Sequence, residues 1–203
     1  MREVFADILT YVMLMLTAIT LQNSVFTRGL GTSHLLSLAD DTTDTFVFTA
    51  ILTLCMTISG IFYWLINRYV LANLAFRRYI RPLSAVICMS VAFFIVLFVV
   101  VKKAPIKFVQ KAVAAMPSAA FNTLILGTVF LTENYNMSLL QTIVFSVGSA
   151  IGFMIAVLMI TEGKDKLNND RIPKAFKGLP SMLMYLAGLS MAIYALTGHP
   201  FSI

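Results

Sequence analysis

Charge is scarce in this chain. Asp, Glu, Lys and Arg make up 12% of its 203 residues, about half of what a soluble domain of this size carries. That shortage excludes water as the main solvent. Cysteine is scarcer: Cys55 and Cys88 stand alone, which excludes a disulfide framework and any Cys-x-x-Cys metal site. Two histidines, His34 and His199, are too few and too far apart for a ligand cluster, and each is expected at a solvated position in a polar segment. No Gly-rich phosphate loop, nucleophile–base pair or metal-binding spacing appears, so no motif gives the chain a catalytic activity of its own. A cleavable leader is not expected either. The first apolar stretch follows Arg2, Glu3 and Asp7 and leads into polar residues without a small-residue cleavage pattern.

What is present is hydrophobic, 59% of the residues. It falls in six charge-free stretches at residues 8–27, 45–67, 82–101, 112–132, 134–161 and 178–198. Each is near the ~20 residues a helix needs to cross the hydrocarbon core. The expected fold is therefore an all-α integral membrane protein of about six transmembrane helices, one membrane domain over residues 1–203, with no room for an extramembrane domain. Basic residues near the span ends number five on one side (Arg2, Arg68, Arg77, Arg78, Arg81). Ten lie on the other (Arg28, Lys102, Lys103, Lys107, Lys111, Lys164, Lys166, Arg171, Lys174, Lys177). This favours both termini outside, although the cluster at Arg68–Arg81 argues locally for the reverse. The net charge of +6 fits contact with anionic lipid at loop ends, and nucleic acid is not implied.

The first and fourth stretches differ from the others. The first ends in Asn23-Ser-Val-Phe-Thr-Arg28-Gly-Leu-Gly31, and the fourth contains Asn122-Thr123-Leu-Ile-Leu-Gly127: in each, Asn, a hydroxyl residue, then apolar residues leading to Gly. These segments correspond if the chain is two three-helix halves, roughly 1–101 and 102–203. Three being odd, such halves would have opposite orientation, an inverted plan in which broken helices frame a site near the midplane. Pro117 fits a broken fourth helix. The plainer reading of Asn23 to Gly31 is an ordinary helix exit, with Arg28 at the headgroups and the glycines in a turn. Asn122, about ten residues from either end of its stretch, is expensive there unless another group satisfies it, so a packing or site role is expected.

These segments, with Phe145-Ser-Val-Gly-Ser-Ala-Ile-Gly-Phe153 and Arg171-Ile-Pro-Lys-Ala-Phe-Lys-Gly178, resemble the six-helix membrane subunits of Rnf and Nqr ion-translocating electron-transport complexes, of the RnfA/RnfE and NqrD/NqrE type, RnfA most of all. The resemblance implies a subunit in the prokaryotic plasma membrane, paired with a homologous six-helix partner. It would help carry electrons between flavin-bearing and iron–sulfur subunits while sodium ions or protons move. It also implies a [2Fe-2S] cluster shared with that partner, each subunit giving two cysteines from the broken first and fourth helices. At those places this chain has Thr123 and Gly31-Thr-Ser-His34. An alcohol does not replace a thiolate as a ligand to iron, so the cluster role is in doubt and no cofactor is assigned to this chain alone.

Cys55 and Cys88 fall in the second and third stretches and are expected to pack as small hydrophobes. Glu133, beside Asn134 and Asn136, is expected to be solvated, or else to attract a cation at a pathway mouth. Asp40, Asp41 and Asp44 with Thr42, Thr43 and Thr45 read as a loop and helix cap. The scattered methionines read as packing. Gly148, Ser149, Gly152 and Ala156 offer a close helix contact. Two other readings stay open: a transporter with Asn23, Thr27, Asn122 and Thr123 lining its site, and a structural subunit supporting a partner's cofactor.

Overall fold

The computed structural model describes residues 2–38, 42–71, 76–103, 106–167 and 172–197, and every regular element among them is helical. In chain order these are α1 (Arg2–Ile19), α2 (Ser24–Arg28), α3 (Thr32–Leu38), α4 (Thr42–Tyr69), α5 (Arg77–Lys103), α6 (Ile106–Ala120), α7 (Thr123–Asn134), α8 (Leu139–Leu167) and α9 (Leu179–Thr197). Three segments, Thr45–Tyr69, Arg77–Lys102 and Leu139–Leu167, are each long and apolar enough to cross a membrane, and α6 with α7 makes a fourth, bent by 50°. The apolar parts of α1 and α9, Phe5–Ile19 and Leu179–Ala195, are shorter than a full span. All six expected stretches thus lie on apolar helices.

The surface inverts the rule for a soluble protein. Phe5, Ile8 and Met13 of α1 and Leu83, Phe94 and Phe98 of α5 are exposed, while Asn23, Ser59, Asn122, Thr142, Ser146 and Ser149 are buried. Apolar side chains outside and satisfied polar ones inside suit a hydrocarbon solvent. The chain is a multi-pass membrane protein.

Small residues set the closest contacts. α8 runs through the centre. A Cβ at Gly148 would lie 3.0 Å from the Ala18 Cβ and the Met15 carbonyl of α1, and one at Gly152 would lie 3.2 Å from the Ile19 carbonyl. On another face α8 meets α4 antiparallel, with Gly60 against Thr142 and Ser146 and Phe48 ring to ring with Phe153 at 5.9 Å. The expected small-residue face of the fifth stretch is therefore the seat of α1. Cys55 and Cys88 are buried free thiols within α4 and α5.

Several boundaries move. The first helix ends at Ile19 instead of near Thr27, for the reason given below. α5 begins at Arg77, five residues before the expected Pro82. α8 begins at Leu139 instead of Asn134, because the chain turns through Asn136 with φ 48°. Ser138 and Gln141 then cap it reciprocally at 2.9 and 3.3 Å. Before α9, Pro173 opens a short turn at Lys174–Phe176 and Gly178 has φ 85°.

Glu133 is a correction: it is neither solvated nor at an open mouth. Its side chain is 4% exposed and pairs with Arg77 at 3.2 Å and Arg81 at 2.8 Å, the Arg81 Nε approaching without the alignment of a hydrogen bond. The Tyr63 hydroxyl donates to its other oxygen. The early start of α5 brings both arginines to this carboxylate. His34 is also corrected: its ring lies half-buried, 6.0 Å from Phe48. Asp44 and Thr45 lie in the first turn of α4, with Thr45 Oγ1 donating to the Leu38 carbonyl at 3.1 Å. Asp40, Asp41, Arg171 and His199 lie outside the described residues.

Candidate functional site

Both expected breaks are present, and each is built by one asparagine. α1 stops at Ile19 because the Asn23 side chain takes over the backbone groups there. Its Oδ1 accepts from the Val25 N–H at 3.0 Å, while its Nδ2 donates to the carbonyls of Ile19 at 3.0 Å and Gly152 at 2.9 Å. Asn23 is thus the N-cap of α2, satisfying a donor that would otherwise be orphaned in a region without water. α2 ends at Gly29, in the left-handed region at φ 67°, with the Leu30 N–H donating to the Ser24 carbonyl at 3.1 Å, the arrangement that glycine permits at a helix end.

The fourth span repeats the device. α6 ends at Ala120, Asn122 is extended at φ −89° and ψ 139°, and its Oδ1 accepts from the Leu124 N–H at 2.9 Å to cap α7. Here the likeness stops. Asn122 is 1% exposed, and its Nδ2 is buried without a hydrogen-bond partner among the described residues.

The two breaks meet. The Gly31 N–H donates to Thr123 Oγ1 at 3.0 Å. A Cβ on Gly31 would fall 3.3 Å from Asn122 Oδ1 and 3.1 Å from the Phe153 ring, so close approach as well as its φ of 78° demands glycine there. Leu30 fills the notch at Gly127, where an added Cβ would collide with its Cδ1. Of the six residues singled out in sequence, Asn122, Thr123, Gly31 and Gly127 gather here, and Asn23 stands one α8 contact away. Arg28 does not join them: it is exposed, with Nη1 donating to Thr27 Oγ1 at 3.4 Å. Leu30 went unnoticed in sequence, since one leucine in an apolar chain carries no signal.

Thr123 is exposed, and the groups at the two junctions are hydroxyl, amide and backbone. Cys55 and Cys88 sit within α4 and α5, not at either break. Among the described residues no group of three or more His, Cys, Asp or Glu comes together.

The sequence profile of the family described as "Rnf-Nqr subunit, membrane protein" matches residues 11–199. Among similar proteins is a membrane component of the ion-translocating oxidoreductase complex of Vibrio cholerae, 24% identical over 197 residues, 97% of this chain and 91% of the relative. Its counterpart in Pseudoalteromonas translucida is 24% identical over 188 residues, 93% of this chain and 96% of the relative. The corresponding component of the proton-translocating ferredoxin:NAD(+) oxidoreductase complex of Clostridium ljungdahlii is 25% identical over 193 residues, 93% and 97%. With a match over nearly its whole length, the chain belongs to the Rnf-Nqr subunit family of membrane proteins.

Proposed function

We propose that this chain is a membrane subunit of a multi-subunit complex that couples electron transfer to the movement of sodium ions or protons, seated in a prokaryotic plasma membrane beside a homologous six-helix partner. The observation that carries this reading is the pair of asparagine-capped breaks joined through Gly31 and Thr123, in a chain whose relatives are named as subunits of such complexes. Two inverted halves, roughly 1–101 and 102–203, account for the repeated cap. The polar residues beside the junction support a partner there: Arg28 and Thr123 are exposed midway along broken spans, where facing lipid would be costly.

The site does not fit an iron–sulfur cluster held in the family's manner. Thr123 Oγ1 already accepts the Gly31 N–H, and a hydroxyl lacks the softness of thiolate. In this reading the chain holds the backbone of the junction in place and supplies no ligand to iron. A transporter finds one favourable observation, the unpartnered Asn122 Nδ2, but the Asn23 amide is fully engaged, which leaves no shared polar lining.

Purification from native membranes in mild detergent tests the proposal, with co-purifying proteins identified by mass spectrometry and iron and flavin measured on the same sample. Recovery with flavoprotein and iron–sulfur subunits is expected. Recovery of the chain alone, colourless and iron-free, would overturn it in favour of a transporter.

A further inference from the structure

Where α4 ends, α5 begins and α7 ends, the chain encloses a cavity of about 290 Å³ whose lining includes Trp64, Asn67, Arg68, Arg77, Glu133 and Asn136. Its one carboxylate is already neutralised, because Glu133 is held by Arg77, Arg81 and Tyr63. Arg68 stands over the Trp64 ring at 5.1 Å and forms no ion pair among the described residues. Counting Arg81 behind Glu133, three guanidinium groups face one carboxylate, and a cation is disfavoured.

Two details point to an anion. Arg77 Nε is buried with no hydrogen-bond partner among the described residues, although Nη2 of the same side chain is fixed by Asn67 at 3.0 Å and Glu133 at 3.2 Å. Arg77 is also the first residue of α5, whose first turn holds no acidic side chain, so the positive end of that long helix is not compensated there. Guanidinium forks match phosphate oxygens in shape and charge. The cavity lies where the chain leaves one apolar span and enters the next, and these helix ends expose Tyr69, Val70, Tyr79 and Leu83. Aromatic and aliphatic side chains beside a basic pocket are the surroundings of a lipid headgroup.

We propose that this cavity holds the phosphate of an anionic membrane phospholipid, bound by Arg68 and Arg77. Glu133 positions Arg77, Tyr63 and Arg81 hold Glu133, and Trp64 supports Arg68.

The full chain, reconstituted in nanodiscs of phosphatidylglycerol and phosphatidylcholine in equal parts, is released for native mass spectrometry and its retained lipid identified. Preferential retention of phosphatidylglycerol is expected. Arg68→Gln, which leaves the Glu133 pairs intact, is expected to lower that preference about fivefold. Arg78→Gln, an exposed arginine at the same helix end that does not line the cavity, is expected to leave it unchanged. Should Arg68→Gln fail to fold, Arg68→Lys, which keeps the charge and loses the fork, is expected to give a smaller loss that again exceeds that of Arg78→Gln. No preference in the wild type would overturn the proposal, as would equal losses at positions 68 and 78, the mark of a diffuse surface charge. Inorganic phosphate bound in phosphatidylcholine-only discs and lost in Arg68→Gln would assign the cavity to a free anion and overturn the lipid.

Discussion

The two helix breaks use the same residue in the same cap, yet one is closed and the other open. At the first, every polar atom of the Asn23 side chain is engaged, tying α1, α2 and α8 together. At the second, Asn122 caps α7 through its oxygen while its amide nitrogen is left unpaired among the described residues. An asparagine cap therefore serves both as a rivet between helices and as a terminus with hydrogen-bonding capacity to spare. The closed break suits a fixed scaffold, and the open one suits a junction that another group completes.

The sharpest way to break this comparison is to replace both asparagines with leucine. Asn23→Leu loses the cap and two buried donor contacts, a cost of about 2–3 kcal/mol. Asn122→Leu loses only the cap, about 1 kcal/mol. Thermal unfolding in detergent is expected to rank them in that order, with Asn122→Leu showing its larger effect on assembly or turnover of the complex. Equal destabilisation would remove the distinction between closed and open, and wild-type assembly and turnover in Asn122→Leu would remove the role of the second break.

Glycine substitutions give a smaller contrast. In Gly152→Ala the new methyl meets the Ile19 carbonyl at 3.2 Å and Asn23 Nδ2 at 3.0 Å. Backbone cannot easily yield, so a loss of about 1–3 kcal/mol is expected. Gly127→Ala meets only the tip of the Leu30 side chain, which can rotate away, and a loss under about 1 kcal/mol is expected. The same unfolding assay checks both, and a Gly127 variant the less stable of the two would contradict the packing at the closed break. Smallest of all is Thr123→Val, which removes the acceptor for the Gly31 N–H at an exposed position and is expected to cost about 0.5–1 kcal/mol. Thr123→Ser keeps the acceptor and is expected to match the wild type.

Much of the fold was legible because lipid imposes a simple code. Long runs without charge gave the spans, and an amide in the middle of such a run, Asn122, marked a break because nothing else explains its cost. The first break was harder to see. The apolar run continues through Val25 and Phe26 beyond Asn23, so composition alone carries the helix on to Thr27, whereas hydrogen bonding ends it at Ile19. Glu133 was misread for a different reason. Beside Asn134 and Asn136 it looks like a loop acid, and its partners lie far off in sequence: Arg77 at 56 residues and Tyr63 at 70. Local pattern carries no information about such pairs. The missing cluster thiolates could be seen directly, since a ligand is a matter of residue type, but the hydrogen bond that occupies Thr123 instead depends on how α2 and α3 fold back on α7.

Contact between the two breaks underlies all of these expectations, and cross-linking tests it most directly. An ideal Cβ at Gly127 lies 3.4 Å from Leu30 Cγ, so cysteines at positions 30 and 127 are within reach of a disulfide. In native membranes treated with a mild oxidant, the Leu30→Cys, Gly127→Cys pair is expected to link within the chain, as is a control pair at Ala18 and Gly148 across the α1–α8 contact. A linked control with the 30–127 pair left unlinked would contradict the meeting of the two breaks.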